Sequence, residues 1–160
     1  MPKPTLQHEY RWLSFDQLTT NEIYEILRAR QEVFVVEQEC AYQDVDGKDQ
    51  HARHLACWDS RSSAPALLAY LRVIVPGKKY AEPSIGRVLT CKSVRGTGIG
   101  RELMQRGIAH TLREFPGAAI RISAQLYLKR FYKEFGFETC SETYDEDGIP
   151  HIEMLRAASN

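Results

Sequence analysis

The stretch from Ile85 to Met104, IGRVLTCKSVRGTGIGRELM, constrains the fold more than any other part of the chain. Its first half reads as a strand and its second half, from Arg101, as a helix. Between them lies Arg95-Gly96-Thr97-Gly98-Ile99-Gly100. Glycines at such a junction let the backbone turn through positive φ and let a ligand approach without a Cβ in the way. The first N–H groups of a helix lack internal partners and carry the positive end of its dipole. The junction therefore reads as a seat for a phosphorylated ligand.

The spacing excludes several phosphate loops. A dinucleotide fingerprint requires G-x-G-x-x-G/A, and from Gly96 or Gly98 the last required glycine falls on Arg101 or Leu103. No Lys-Ser or Lys-Thr follows the glycines, so the nucleoside-triphosphate loop fails as well. No kinase catalytic-loop sequence occurs in the 160 residues. What remains is [R/Q]-x-x-G-x-[G/A], met by Arg95, Gly98 and Gly100. An ordinary structural glycine turn is the competing reading.

A chain of 160 residues suits one domain with a full core, read here as residues 1–160. Lys plus Arg and Asp plus Glu number 21 each, which argues against nucleic acid or an anionic membrane as the main partner. No apolar run approaches a membrane span, and the start MPKPTLQHEYRW lacks an apolar leader. Cys40, Cys57, Cys91 and Cys140 are scattered, with no C-x-x-C pair. Free thiols in a reducing cytoplasm are expected.

Along the chain, Tyr10 to Phe15 forms a first strand. Thr19 with Glu22 reads as a capping box opening a helix that carries Ile23, Ile26, Leu27 and Phe34. A polar, acidic stretch runs from Glu37 to Gln50. Strands follow over His54–Trp58, Leu67–Val75 and Ile85–Cys91. The helix after the glycines carries Met104, Ile108 and Leu112 and stops at Pro116-Gly117. Ala118 to Ala124 alternates as a strand, Leu128 to Phe135 makes a short helix closed by Gly136, and Phe137–Tyr144 and His151–Arg156 read as two final strands. The expected class is α/β (α+β), order β-α-β-β-β-α-β-α-β-β, with helices packed on both faces of a mixed central sheet.

The glycine loop and this element order resemble the GNAT N-acetyltransferase superfamily. Val33 to Gln38 (VFVVEQ), Tyr42 with Asp44, Asp46 and Gly47, Ile85-Gly86-Arg87-Val88, and Tyr144 to His151 (YDEDGIPH) more narrowly resemble its ElaA-like branch. The resemblance implies acetyl-coenzyme A (acetyl-CoA) as co-substrate. The backbone of Val88, Leu89 and Thr90 would pair with the pantetheine arm like an added strand. The N–H groups of Gly96, Thr97, Gly98, Ile99 and Gly100 would hold the pyrophosphate, with Arg95 and Arg101 adding charge. Gln125 stands where the family often has Asn or a small polar residue.

Acetyl transfer to an amine requires a base, a positioned carbonyl, an oxyanion donor and an acid for the departing thiolate. The resemblance implies direct attack, with a backbone N–H near Leu89 or Thr90 as oxyanion donor. Tyr132, in KRFYKEFGF, resembles the family's acid, and by the same resemblance Phe131 and Tyr132 would also border the coenzyme; the competing reading of Tyr132 is a core tyrosine. Candidate bases are Glu37, Asp44, Asp46, His54 and His151, each with a structural reading as a solvated carboxylate or hydrogen-bonded histidine. Glu37 is the leading choice. Glu37, Tyr42, Asp44, Asp46, His54, Arg87 and His151 are expected to line the acceptor side, where carboxylates would favour a cationic amine. In the register set by Gly47, the calcium-loop acids fall on Tyr42 and Arg53, and His51 and His54 lack a third zinc ligand, so no metal is expected. A cysteine nucleophile, Cys40 or Cys91, would need a paired base, for which His51 is the nearest candidate in sequence, and is not the expected chemistry.

The sequence thus reads as an N-acetyltransferase acting on a small-molecule or peptide amine. A non-catalytic acyl-CoA binder is the alternative, and a transferase using another acyl donor a third. An unpaired edge strand in such folds leaves a homodimer open.

Overall fold

A computed structural model describes residues 5–159; the first four residues, part of the stretch read as lacking a leader, lie outside the description. Eight strands form one mixed sheet: β1 (His8–Ser14), β2 (Ala52–Asp59), β3 (Leu67–Ile74), β4 (Ser84–Thr90), β5 (Ile120–Gln125), β6 (Phe137–Thr139), β7 (Tyr144–Glu146) and β8 (Ile149–Arg156). Their order is β1-β2-β3-β4-β5-β8-β6, with β7 also paired to β8. The helices are α1 (Thr20–Arg30), α2 (Ile99–Glu114) and α3 (Lys129–Lys133).

The alternation of β2 and β3 divides the interior into two cores. Leu55, Cys57, Leu71 and Val73 face α2, whose Ile99, Leu103, Met104 and Ile108 pack on them with Tyr132 of α3. Ala56, Trp58 and Tyr70 face the opposite way, against Ile26 and Ala29 of α1. Helices therefore cover both faces, as expected. Gly107 permits the close approach of α2, because a Cβ there would lie 2.7 Å from Leu71 Cδ2.

The capping box forms: Glu22 N–H donates to Thr19 Oγ1 at 3.2 Å, and Thr19 N–H to Glu22 Oε2 at 2.8 Å. The helix expected to run through Phe34 changes register after Arg30 and continues as a π-helical segment, Gln31–Glu37. Apolar periodicity does not distinguish the two, since a π turn differs mainly in hydrogen-bond register. The single strand expected over Phe137–Tyr144 is instead two short ones, β6 and β7. They lie along the same edge of β8, at Met154–Arg156 and Ile149–His151 respectively.

Two irregularities open the sheet at its centre. β4 and β5 run parallel but share only the Ser84–Arg121 register pair. Beyond it they part. β4 also bulges: Tyr70 faces Leu89 and Arg72 faces Gly86, so Leu71 spans both Arg87 and Val88. Arg87 adopts φ 52°, a left-handed conformation rare for a residue with a side chain.

Candidate active site

The parting of β4 and β5 opens a cleft of about 650 Å³. Its floor includes Val88, Leu89 and Thr90 from β4 and Ile122, Ala124 and Gln125 from β5. The π-helical segment supplies Glu37 and Gln38, and α3 supplies Tyr132. At one end lies Arg95 of the glycine loop; at the other lie Tyr42, Asp46, Arg87 and His151.

The loop begins after the turn Lys92–Val94. Gly96 and Gly98 take φ values of 78° and 89°, and Gly98 caps α2. The first intrahelical bond runs from Glu102 N–H to Gly98 O at 3.2 Å. The N–H groups of Ile99, Gly100 and Arg101 consequently have no partner within the helix. Thr97 differs from expectation: both its N–H and its hydroxyl donate to Val94 O, so its amide is already engaged. The Ile99 side chain is core rather than ligand wall. Glu134 holds Arg101, while Glu37 holds Arg95 at 2.9 Å.

Tyr132 is buried yet lines the cleft, and burial raises its phenol above the ordinary range. The hydroxyl therefore keeps its proton at neutral pH. Phe131 stands edge-on to Tyr132 and Phe135 and packs, partly buried, against the core rather than lining the cleft. Gln125 reaches across the opening and forms a reciprocal amide pair with Gln38, at 3.1 and 3.2 Å. Sequence reasoning missed Gln38 in this capacity; only its place in the VFVVEQ run drew notice.

The acidic stretch has a different task from the one expected. Arg30, fully buried at the end of α1, donates to Asp44 Oδ2 at 2.8 Å and Asp49 Oδ1 at 2.6 Å. Arg72 of β3 grips Asp46 at 2.6 Å and Asp49 at 3.1 Å. Arg87 lies 2.7 Å from Asp44 and 3.4 Å from Asp46, with its guanidinium over the Tyr42 ring. Tyr42 donates to Asp44 at 2.8 Å. Three arginines thus balance three aspartates. Asp44 is buried behind this network, and Asp46 reaches the cleft already paired, so neither offers a free carboxylate to a cationic acceptor. Burial alone would raise Asp46 and Asp49, but the arginines outweigh it and hold both below the carboxylate range.

These pairs anchor the bulge. A non-glycine residue at positive φ costs about 1–3 kcal/mol and persists where its surroundings fix it. Here Asp44, Asp46 and Tyr42 clamp the Arg87 side chain.

His54 does not reach the cleft. It is 2 % exposed, with Nδ1 at 2.7 Å from the Tyr70 hydroxyl and Nε2 at 2.9 Å from Asp49 O. Burial depresses its pKa. Its structural reading is the one the geometry favours. His151 does line the cleft, with Nε2 at 3.1 Å from Glu146 and Nδ1 at 2.7 Å from Ile149 O. Glu37 lines it too, but its bond to Arg95 holds it below the usual carboxylate range, and Lys92 at 3.6 Å adds to the effect. Among the described residues no cluster of three His, Cys, Asp or Glu side chains could hold a metal ion.

A family model described as an acetyltransferase (GNAT) domain matches residues 19–157. The chain belongs to the GNAT acetyltransferase family. A UPF0039 protein of Synechocystis is 43% identical over 150 residues, covering 94% of this chain and 96% of that protein. The crystal structure of an acyl-CoA N-acyltransferase from Pseudomonas aeruginosa superposes with a TM-score of 0.88 at 39% identity, covering 94% of this chain and 100% of that one. Escherichia coli ElaA superposes with a TM-score of 0.85 at 36% identity, covering 94% and 99%. The ElaA-like resemblance is thereby borne out, and the parted β4 and β5 belong to a GNAT fold.

Within that fold the cleft also contains residues the sequence did not single out: Lys48, Arg72, Lys79 and Ser123. No motif marks them. They come from separate loops and strands that only the folded sheet brings to one end of β4.

Proposed function

We propose that this GNAT-family chain is an N-acetyltransferase that moves the acetyl group of acetyl-CoA to a primary amine by direct attack. The observation that carries the reading is the open seam between β4 and β5, with free helix N–H groups near one end and a protonated tyrosine inside it. The pantetheine would lie along Val88–Thr90, with its pyrophosphate at Gly96–Arg101 and Gln125 beside the arm. A seated pyrophosphate would compete with Glu37 for Arg95.

In this reading the amine nitrogen attacks the thioester carbonyl, and a backbone N–H of the bulged β4 edge receives the oxyanion. The C–S bond then breaks, and the Tyr132 phenol supplies a proton to the departing sulfur. Glu37, released when the pyrophosphate draws Arg95 away, takes the proton from the amine. Paired as it is without ligand, it is a weak base. The domain, read as residues 1–160, would act on a small-molecule or peptide amine.

Thermal titration with CoA, acetyl-CoA, ATP and NAD tests the donor site. A ligand at a hundredfold excess over its Kd stabilises the native state by about 2.7 kcal/mol. Stabilisation by the two CoA species alone, followed by amine-dependent thiol release from acetyl-CoA, is expected. No response to CoA at millimolar concentration would overturn the reading, and CoA binding without transfer to any amine would favour a non-catalytic binder.

A further inference from the structure

The peptide groups of β4 change sides at the bulge. Arg121 N–H of β5 donates to Pro83 O at 3.1 Å, so odd-numbered residues turn toward β5 where the strand begins. Cys91 N–H donates to Leu68 O of β3 at 2.8 Å, so odd-numbered residues turn toward β3 where it ends. Along a regular strand alternate residues bond to the same edge, and one extra residue reverses the order. The extra residue sits at Arg87–Val88, opposite Leu71. Past it, Leu89 is committed to Tyr70 of β3, while Val88 and Thr90 turn their N–H and C=O groups into the seam. The Thr90 carbonyl accepts from Arg95 Nε at 3.2 Å, and Arg95 lines the cleft. Val88 is the seam-facing amide next to the bulge, and β5 has parted from β4 before reaching it.

This reversal depends on Arg87 staying at φ 52°. A residue with a side chain is strained there and stays only where its surroundings fix it. Arg87 Nε lies 2.7 Å from Asp44 Oδ1, and Nη2 donates to Asp44 O at 3.2 Å. Asp46 lies 3.4 Å away, and Arg30 and Arg72 hold the two aspartates from behind. We infer that Arg87 is a positioning residue for acetyl transfer: held by Asp44 and Asp46, it turns the Val88 N–H into the seam as the donor to the thioester oxygen. This rests on the acetyl-transfer reading above. As the amine nitrogen bonds to the carbonyl carbon, the π pair of the C=O bond moves onto oxygen, where the Val88 N–H meets it. The pair returns as the C–S bond breaks, and the Tyr132 proton passes to sulfur. The acidic loop thus serves the reaction through β4 without touching the amine. Leu89, one of the two donors expected from the sequence, is excluded by its pairing with β3.

Two measurements test this without turnover. Protein labelled with 15N at valine and leucine is compared when bound to CoA and to acetyl-CoA. The Val88 amide should move downfield when acetyl-CoA replaces CoA, and the Leu89 amide should hold. The reverse, or no change at either, would overturn the inference. The second measurement follows the carbonyl resonance of acetyl-CoA carrying 13C at that carbon. Binding should move it downfield, and Arg87→Ala should remove most of that displacement. Arg87→Gly, which takes positive φ without a Cβ penalty, should recover part of it. Equal loss in both variants would mean that the guanidinium acts on the ligand directly, and would overturn the positioning role. Asp44→Asn, buried behind the wall, should also reduce the displacement at unchanged acetyl-CoA Kd; a full displacement there would overturn the part given to the acidic loop.

With an amine that is turned over, Arg87→Ala should lower kcat by about a hundredfold, as for loss of an oxyanion donor, at unchanged acetyl-CoA KM. Arg87→Gly should regain part of the loss. A change confined to KM would overturn the inference. Failure of acetyl-CoA to bind at all would instead remove the acetyl-transfer reading, and the inference with it.

Discussion

At the residue scale, Tyr132 and Asp49 separate chemistry from architecture. Tyr132 is buried but turned to the cleft, and its acidity is shifted by burial and the nearby Tyr127 rather than by a hydrogen bond. Tyr132→Phe should lower kcat by about a hundredfold, the low end for loss of a general acid, while CoA affinity and Tm hold. Steady-state kinetics beside a CoA titration check this. Asp49 bonds both Arg30 and Arg72, and all three are buried. Asp49→Ala should destabilise the fold by about 3–5 kcal/mol, because two buried cations lose a partner. Urea unfolding would show it as a lower midpoint at unchanged slope. Such partners were not legible in the sequence: the acidic run reads as a solvated or ligand-facing stretch because its arginines lie 14 to 26 positions away or more.

At the element scale, β4, the glycine loop and α2 could be read directly. A strand pattern, glycines where φ must turn positive and a helical apolar stripe all agree at one junction. Gly98→Ala tests it. At φ 89° an alanine is strained by about 1–2 kcal/mol, and the N–H groups that follow would be misaimed. CoA affinity should fall by about tenfold or more, with a small loss of Tm, as read by calorimetric titration. The acidic loop and the β4 bulge were harder. The bulge places Arg87, not a glycine, at positive φ, so no residue type announced it. Its stabilising contacts come from Tyr42, Asp44 and Asp46, in a loop without secondary-structure signal. The break between β6 and β7 was similarly silent, since both short strands pair along the same edge of β8.

At the scale of the whole molecule, the charge network ties α1, the acidic loop, β3 and β4 together across the sheet. It also sets the response to acid. His54 is held below its ordinary value by burial, so unfolding takes up a proton there. Its contribution is complete above about pH 6.5 and declines as the pH falls below that. Asp46 and Asp49 are also depressed in the fold, so their contribution is present above about pH 4 and is lost as the pH falls toward their folded values. Urea midpoints measured from pH 8 to pH 3 should fall in two stages. In Arg72→Met, which removes the nearer of the two arginines on Asp46, the lower stage should shrink.

The proposed function requires CoA to sit in the seam between β4 and β5. Amide hydrogen exchange with and without CoA tests it most directly. Slower exchange is expected in two places together, the Val88–Thr90 edge and the Gly98–Arg101 turn, with little change in β1 or β2. Protection confined to the glycine turn, or absent from both, would contradict it.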